Sequence, residues 1–573
     1  MKVSSVRVTS LLIFTWLAVS CLSPLLAAEP QAGTVADDAT PETAKSGTAM
    51  PADAATEPGA DAGPGEAFDI MEFQVTGNTV LPPASIEQAI YPFLGEGKTV
   101  DDVEGARAAL EKAFHDLGYP TVFVNTPEQE ILNKTVRLEV LEGRIEKLRV
   151  VGAKYYSLGV IKSRTPELAE GKVPYFPNVQ RQLASLNGQQ DRQVAPVMRA
   201  GKTPGMVEID LKVEDKLPLH ANLEVNNRYM ANTTKSRLVG SVRYDNLWQL
   251  DHSLSLSFQV TPESTDETRV LSANYLIPTQ EGDYWAMYGV ISRSDVNVVS
   301  GVGGVNVVGN GNIFGVRYIH PLPAPLLSGY FHNISVGADY KDFDEVIGLN
   351  GSNVDSMPIS YMPFSVAYDS TLQTTKTTTQ MNLGLTFAIR GVMSDEEDFF
   401  NKKNRLHTES SFAYLRGELK HTYRLPKDWQ LFGKLAGQAA TGQLISNEQF
   451  FLGGADSVRG YYEATAVGDK GLYGVAEVRT PSLAPWLGMS TGELYASLFY
   501  SAGYTSVYYP GPSERERLDL ASVGMGLQLK KWRGVYANLD LAWALKETKG
   551  KEGSAGFIDK GDSLVHFRLG YDW

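Results

Sequence analysis

Arg459 is the side chain whose chemistry most needs explaining. It lies in Phe450-Phe451-Leu452-Gly453-Gly454-Ala455-Asp456-Ser457-Val458-Arg459-Gly460-Tyr461-Tyr462. Gly453, Gly454 and Gly460 free the backbone for a folded-back loop, and the large apolar residues argue against disorder. A guanidinium held in such a loop needs a counter-charge once it leaves water, so the chemistry on offer is electrostatic. Other candidates fail as catalytic groups. Gly97-Lys98-Thr99 has the ending of a phosphate-binding loop, but Pro92 stands where that motif requires glycine, and the segment reads as a polar loop between helices. Gly301-Val302-Gly303-Gly304 and Gly309-Asn310-Gly311-Asn312 lack a strand–loop–helix context and read as a strand edge and a hairpin turn. The eight histidines are scattered without a His-Glu-x-x-His, and Cys21 is the single cysteine. The sequence predicts no enzyme, no metal and no cofactor.

The elements that must position Arg459 differ along the chain. Lys2 and Arg7 precede an apolar run from Leu11 to Leu26, with Ala27-Ala28 as small cleavage residues, so 1–28 reads as a secretory signal. Cys21 falls inside it, which leaves a thiol-free mature chain suited to an oxidising compartment. Ala18-Val19-Ser20-Cys21 departs from a lipoprotein box at Ala18, and Leu22, Leu25 and Leu26 continue the apolar run as in an ordinary signal. Residues 29–66 hold Ala, Pro, Gly, Thr, Asp and Glu with Lys45 as the only base, a flexible acidic tether without the apolar stripe of a helical plug. A net charge of -14 excludes nucleic acid as a main partner.

Order begins at Phe68. A strand at Glu72–Val75, helices at Ser85–Leu94 and from Asp101, and strands at 121–124 and 135–140 make a small α+β domain over 67–143. Val103, Ala106, Leu110, Ala113, Phe114 and Leu117 share one helical face, and Gly118 ends it. Glu142-Gly143-Arg144-Ile145 reads as a hinge to a second copy over 144–217: Leu148–Gly152 echoes Phe73–Gly77, and Met206–Val213 echoes the closing strand.

From 218 to 573 strand follows turn. Leu254, Leu256, Phe258 and Val260 interleave with Ser253, Ser255, Ser257 and Gln259, and 523–530 and 535–545 alternate likewise, with Asn538 and Asp540 on the polar parity. The segment is too long for one sandwich. Short turns such as Asp245-Asn246 alternate with long loops such as 394–404, and Val565, Phe567, Leu569, Tyr571 and Trp573 share one parity at the chain's end, the marks of a membrane barrel. About twenty-two residues per strand with its connection predicts sixteen strands.

In this setting the glycine pair with Val458-Arg459-Gly460-Tyr461 resembles loop six of outer-membrane barrels that move polypeptides. The two α+β copies look like POTRA domains. The Glu-Gly-Arg-Ile junction and Pro127-Glu128-Gln129 are similar to the two-partner secretion transporters, also called haemolysin secretion/activation proteins. This resemblance implies an outer-membrane barrel with periplasmic POTRA units and no nucleotide requirement. It implies an unfolded exoprotein client with an N-terminal secretion domain, lipid around the barrel, and barrel-assembly machinery for its own insertion. The alternative with the same loop is an outer-membrane insertase, whose best-known member carries more POTRA units. The family sets the loop-six arginine against wall acids. Gly474-Val475-Ala476-Glu477-Val478-Arg479 matches one such strand and supplies Glu477 on the lumenal parity, whereas Phe499-Tyr500-Ser501-Ala502-Gly503 has Ser501 at the usual aspartate. Arg459 is thus expected to depend on Glu477 alone. Client binding by strand addition is expected at Val207, Ile209, Leu211 and Val213.

A mature N-terminus near Glu29 is expected from intact-mass measurement, with 29–66 digested first under limited proteolysis. Retention of residues before Cys21 would contradict the cleavage.

Overall fold

The computed structural model describes residues 67–573 except 131–132, 232, 280–281, 294–298, 303–304, 309, 324–328, 350–351, 393–406, 511–514 and 549–555. The predicted signal, Cys21, the tether, Gly303, Gly304, Gly309 and the 394–404 loop lie outside the described residues. The described chain divides near 217 into two compact units.

The N-terminal unit holds two three-stranded sheets of one design. In the first, Glu72–Thr76 runs parallel to Thr135–Glu142, which pairs antiparallel with Val122–Asn125 on its other side. In the second, Arg144–Val151 runs parallel to Met206–Asp215, which pairs antiparallel with Arg192–Ala200. Helices Pro83–Ile90 and Val100–Asp116 cover the first sheet, and the second copy carries Leu158–Ser163 and Phe176–Leu186. The Val100–Asp116 face falls where its periodicity put it, with Val103, Ala106, Leu110 and Phe114 in the core, although Leu117 is exposed. The Thr99 amide and hydroxyl donate to Asp102 at 2.9 and 3.1 Å, capping the helix. Those bonds, the amide's foremost, hold the Asp102 carboxyl below its ordinary value.

Two expectations change. Gly95–Lys98 is a strand paired with Phe68–Ile70, so Gly97-Lys98 is not a loop. Nor is 142–145 a free hinge. Glu142 accepts from the Thr79 amide at 2.5 Å, the Thr79 hydroxyl at 2.6 Å and Arg144 Nη2 at 2.7 Å. Phe176 N–H donates to Gly118 O at 2.9 Å, and a Cβ at Gly143 would lie 2.2 Å from Thr121 O. The junction is a packed seam with no slack.

The C-terminal unit is a closed antiparallel barrel of seventeen hydrogen-bonded segments. Ser352–Tyr361 and Phe364–Gln373 pair with successive stretches of Tyr330–Leu349 and are halves of one strand, so the wall has sixteen. Pro363 lies in the break, where its missing N–H costs no ladder bond. Closure satisfies every strand edge, the condition for non-helical backbone in lipid. The closing seam is the shortest: Ser563–Asp572 matches Leu219–Asn226 over five residue pairs, against fourteen between Glu493–Ser506 and Arg517–Trp532. Asn227 lengthens it with its side chain, donating to Val565 O and accepting from Phe567 N–H, both at 2.7 Å.

Side-chain parity follows the alternation. Val565, Phe567, Leu569, Tyr571 and Trp573 face outward, and His566 is buried on the lumenal side. Asp245-Asn246 is not a turn: both residues end the strand Arg237–Leu247 in buried positions, and the turn is 248–251. Asn310–Pro321 is likewise a wall strand, so Asn310-Gly311-Asn312 is no hairpin turn.

Leu110→Ala should lower the stability of the N-terminal unit by about 2–5 kcal/mol by opening a core cavity, seen as an earlier urea transition with the barrel's heat-modifiable mobility unchanged. The Asp102 cap contributes stability above the ordinary carboxylate pKa and loses it as pH falls through the lowered folded value, so an Asp102→Ala variant should differ from the parent less in acid than at neutral pH.

Candidate functional site

The long connection between Gln430–Ala440 and Lys470–Arg479 folds inward. It begins and ends in a short ribbon, Phe450–Leu452 against Ala466–Gly468. Gly453, Gly454 and Gly460 have φ of 105, 98 and 87°, the left-handed region that favours glycine. The first pair also has no room for a side chain: a Cβ at Gly453 would lie 2.5 Å from Tyr462 O, and one at Gly454 would lie 2.1 Å from the Glu463 carboxylate. Ser457 closes the turn, its hydroxyl 2.9 Å from both the amide and the carbonyl oxygen of Gly453.

This turn carries Arg459 to the wall. Nη2 donates to Glu477 Oε2 at 3.0 Å and Nη1 to Asp540 Oδ1 at 3.2 Å, and the guanidinium carbon sits 3.4 Å from the centre of the Phe499 ring. Each acid has its own support. Arg479 Nε donates to Glu477 Oε1 at 2.9 Å, and Asn538 Nδ2 to Asp540 Oδ2 at 2.7 Å. Arg459 is 7% exposed, Glu477 9% and Asp540 3%, so the cluster is largely out of water. The neighbours of Arg459 are fixed too. Gly460 N–H donates to His566 Nε2 at 3.0 Å, and the Tyr461 hydroxyl lies 2.8 and 2.7 Å from the carbonyl oxygens of Ala521 and Lys546. Val458 and Tyr461 are fully buried in a cluster with Leu452, Tyr473 and Leu520.

The Arg459–Glu477 contact thus lies where the sequence put it. Dependence on a single acid does not hold, because Asp540 is a second one. Ser501 takes no part in the cluster; its hydroxyl is 2.7 Å from that of Ser522. Asp540 reaches in from the strand Val535–Ala544, over a residue without a side chain: a Cβ at Gly526 would fall 2.2 Å from Asp540 Oδ1. The available signal was an acid on the polar parity of that strand, with no spacing to tie it to Arg459.

Sequence reasoning also missed two other anchors of the loop. Glu448, 2% exposed, accepts from Lys341 Nζ at 2.6 Å, Tyr361 at 2.6 Å and Tyr414 at 2.7 Å. Asp456 pairs with Arg228 at 2.7 Å, and its carbonyl accepts from Lys434 Nζ at 3.0 Å. Lys341, Tyr361 and Tyr414 lie 107, 87 and 34 residues from Glu448, and Arg228 follows the strand Leu219–Asn226, so no local pattern announces these contacts.

The expected client strand is misplaced. Met206–Asp215 is the central strand of its sheet, paired on both sides, and Ile209, Leu211 and Val213 are buried in the core with Val207 packed against it. Strand addition needs an edge. Two edges are met in part by their own unit: Ile145 exchanges backbone bonds with Gly171 and Lys172, and Val124 is capped by Glu111 and Arg107. On Arg192–Ala200, Asn187 caps Val194 through both its amide atoms, at 2.6 and 3.0 Å. Beyond Val194 the same outward parity falls on Pro196, Met198 and Ala200, and among the described residues nothing meets the outward backbone groups of Met198 and Ala200.

A sixteen-stranded barrel with an inward loop bearing a doubly paired arginine, preceded by strand–helix–helix–strand–strand units, defines an outer-membrane protein of the POTRA-plus-barrel class. The chain belongs to the family described as haemolysin secretion/activation protein ShlB/FhaC/HecB, whose model matches residues 205–529, and the ShlB-type POTRA model matches 68–143. It is 20% identical over 466 residues to the heme/hemopexin transporter protein HuxB of Haemophilus influenzae, covering 78% of each chain. It is 21% identical over 413 residues to the outer membrane transporter CdiB of Dickeya dadantii, covering 71% of this chain and 72% of that one. The solved structure of CdiB from Escherichia coli superposes with a TM-score of 0.59 at 18% identity, over 90% of this chain and 93% of that one.

Arg459→Ala, Glu477→Ala and Asp540→Ala should each loosen the loop. Removing one member of a desolvated ion pair costs roughly 3–5 kcal/mol, less where lumenal water reaches it. Arg459→Ala combined with either acid variant should lose less secretion than the sum of the single losses. Secretion assays at barrel levels matched by heat-modified mobility test this, and simple additivity would remove the pairing.

Proposed function

We propose that the chain receives an unfolded exoprotein in the periplasm and passes it through its barrel to the cell surface. The observation that carries this reading is the Arg459 guanidinium bound to Glu477 and Asp540 inside the barrel, in a chain of the secretion/activation family. A passive pore has no need of a desolvated cation pinned to its wall, whereas a conduit for polypeptide needs an internal loop held in a defined place. Residues 67–143 and 144–217 act as two POTRA units, and 218–573 as the conduit. Glycines 453, 454 and 460, with Val458 and Tyr461, set the loop's path, and Arg459 is the group that fixes it to the lumen.

The client enters by adding its extended backbone to a periplasmic sheet, a mode that reads main chain more than sequence. The edge Pro196–Ala200 suits this role, since Met198 and Ala200 leave outward N–H and C=O groups unmet. Exposed Val197 and Met198 offer apolar contact beside them. The client is an exoprotein with an N-terminal secretion domain, and folding outside the cell biases its passage.

Deleting 68–215 should abolish export while leaving an inserted barrel, because the wall closes its own edges. Met198→Pro removes one outward N–H without touching the inward ladder at Val197 and Arg199. It should reduce client binding by about tenfold if the lost pairing amounts to one net hydrogen bond plus the strand's register. Unchanged client capture by Met198→Pro, with wild-type barrel mobility, would move recognition to another edge.

A further inference from the structure

The outer face of the wall behind the Arg459 cluster is indented. The strands Phe412–Arg424, Gln430–Ala440, Lys470–Arg479 and Glu493–Ser506 border a recess of about 670 Å³, bounded on its inner side by Phe432, Glu477 and Phe499. That volume falls within the roughly 300–1,000 Å³ of small-ligand sites. The outward residues form two cross-strand rows, Tyr423–Leu431–Val478–Leu498 and His421–Gly433–Ala476–Tyr500. Large side chains thus rim a floor made of Gly433 and Ala476.

Gly433 is the informative residue. Its φ is not in the left-handed region, and a Cβ there would meet nothing within 4 Å. Neither backbone conformation nor packing calls for glycine, although glycine weakens a strand interior and often marks close approach by a ligand. Gly526 shows the contrast, since its Cβ position is already taken by Asp540. What the missing side chain at Gly433 provides is the space outside the wall.

The position and lining identify what fits that space. Leu431, Val478 and Leu498 are exposed on the same outward parity as the rest of the lipid-facing band, so the recess is continuous with the membrane surface of the barrel. Gly433 is the fourth residue of its strand, about 10 Å in from the short-turn end. That end carries an interfacial aromatic level: Trp429 in one adjoining turn, and Trp486, 86% exposed, with exposed Leu487 in the other. The recess has two polar side chains, Tyr423 opposite Leu431 near that end and His421 level with Gly433. His421 Nδ1 lies 2.8 Å from Thr379 Oγ1, and among the described residues neither His421 Nε2 nor the Tyr423 hydroxyl has a protein partner. The combination is an apolar slot with one hydrogen-bonding group, Tyr423, toward the short-turn end and a second, His421, beside its floor.

We propose that this recess binds one phospholipid of the periplasmic leaflet, its acyl chain lying over Gly433 and Ala476 and its ester or phosphate oxygens meeting His421 and Tyr423. The full-length chain is reconstituted in vesicles of phosphatidylethanolamine and phosphatidylglycerol doped with a phospholipid bearing a diazirine on its acyl chain. After irradiation, labelled peptides are mapped by mass spectrometry. Label on peptides containing Leu431, Val478 and Leu498 should exceed that on the lipid-facing peptide containing Leu254, Leu256 and Phe258 about tenfold, the ratio for one decade of preferential occupancy. Gly433→Leu, or Ala476→Leu if the first variant inserts poorly, should abolish the excess with heat-modifiable mobility retained. Even labelling around the wall, or an excess that survives both fillings, would overturn the site. Equal labelling by a free fatty acid carrying the same diazirine would overturn the assignment to a phospholipid.

Discussion

A single cation out of water governs the interior of this barrel. Arg459 loses its hydration where the loop meets the wall, and two carboxylates, Glu477 at 3.0 Å and Asp540 at 3.2 Å, replace it. The neighbouring sequence follows from that requirement. Phe499 lies flat against the guanidinium, and it can do so because a Cβ at Gly524 would come 2.4 Å from its ring. Asp540 reaches Arg459 across Gly526 for the same reason. The small residues on the lumenal parity of Arg517–Trp532 are therefore part of the ion cluster's housing.

The arginine does not hold the loop alone. Glu448, with two tyrosines and Lys341, fixes one arm, and Asp456 with Arg228 fixes the tip. Asp469, fully buried, accepts from the backbone amides of Leu444 and Tyr508 at 3.0 and 2.8 Å and so ties the loop's two bases together. Glu448 and Asp469 are buried and would be costly if stranded, so they act with Arg459 as one cooperative fastening, whereas the exposed Asp456–Arg228 pair adds less. A loop fastened this way moves as a unit or keeps its place.

The N-terminal unit solves a different problem, that of leaving some backbone unpaired without inviting aggregation. Side chains stand in for missing strands: Glu111 and Arg107 cap Val124, and Asn187 caps Val194. Gln129 completes the ladder at Arg137 where the neighbouring strand has ended, at 2.7 and 2.8 Å. Pro196 interrupts the edge Arg192–Ala200, in keeping with how exposed edges are blunted. A short outward stretch at Met198 and Ala200 stays available, enough to seat an extended guest.

How much of this was legible in the sequence follows from the range of the forces involved. Strand alternation, the outward parity of Val565 to Trp573, the buried face of Val100–Asp116 and the inward parity of Glu477 all depend on residues two to four apart, and a linear pattern records them. The glycines of the loop were legible too, because positive φ is a local demand. Sheet order was not: whether Val207–Val213 is an edge depends on what pairs beside it, and the burial of its side chains looks the same either way. The second acid was equally hidden. Ser501 vacates the expected position, and Asp540, eighty-one residues from Arg459, becomes its partner only because barrel closure brings Val535–Ala544 beside the loop. By itself the sequence determined which residues face the lumen, since parity is fixed by the two-residue period of a strand. Tertiary structure alone decided which of those residues meet, since that is set by register and closure around sixteen strands.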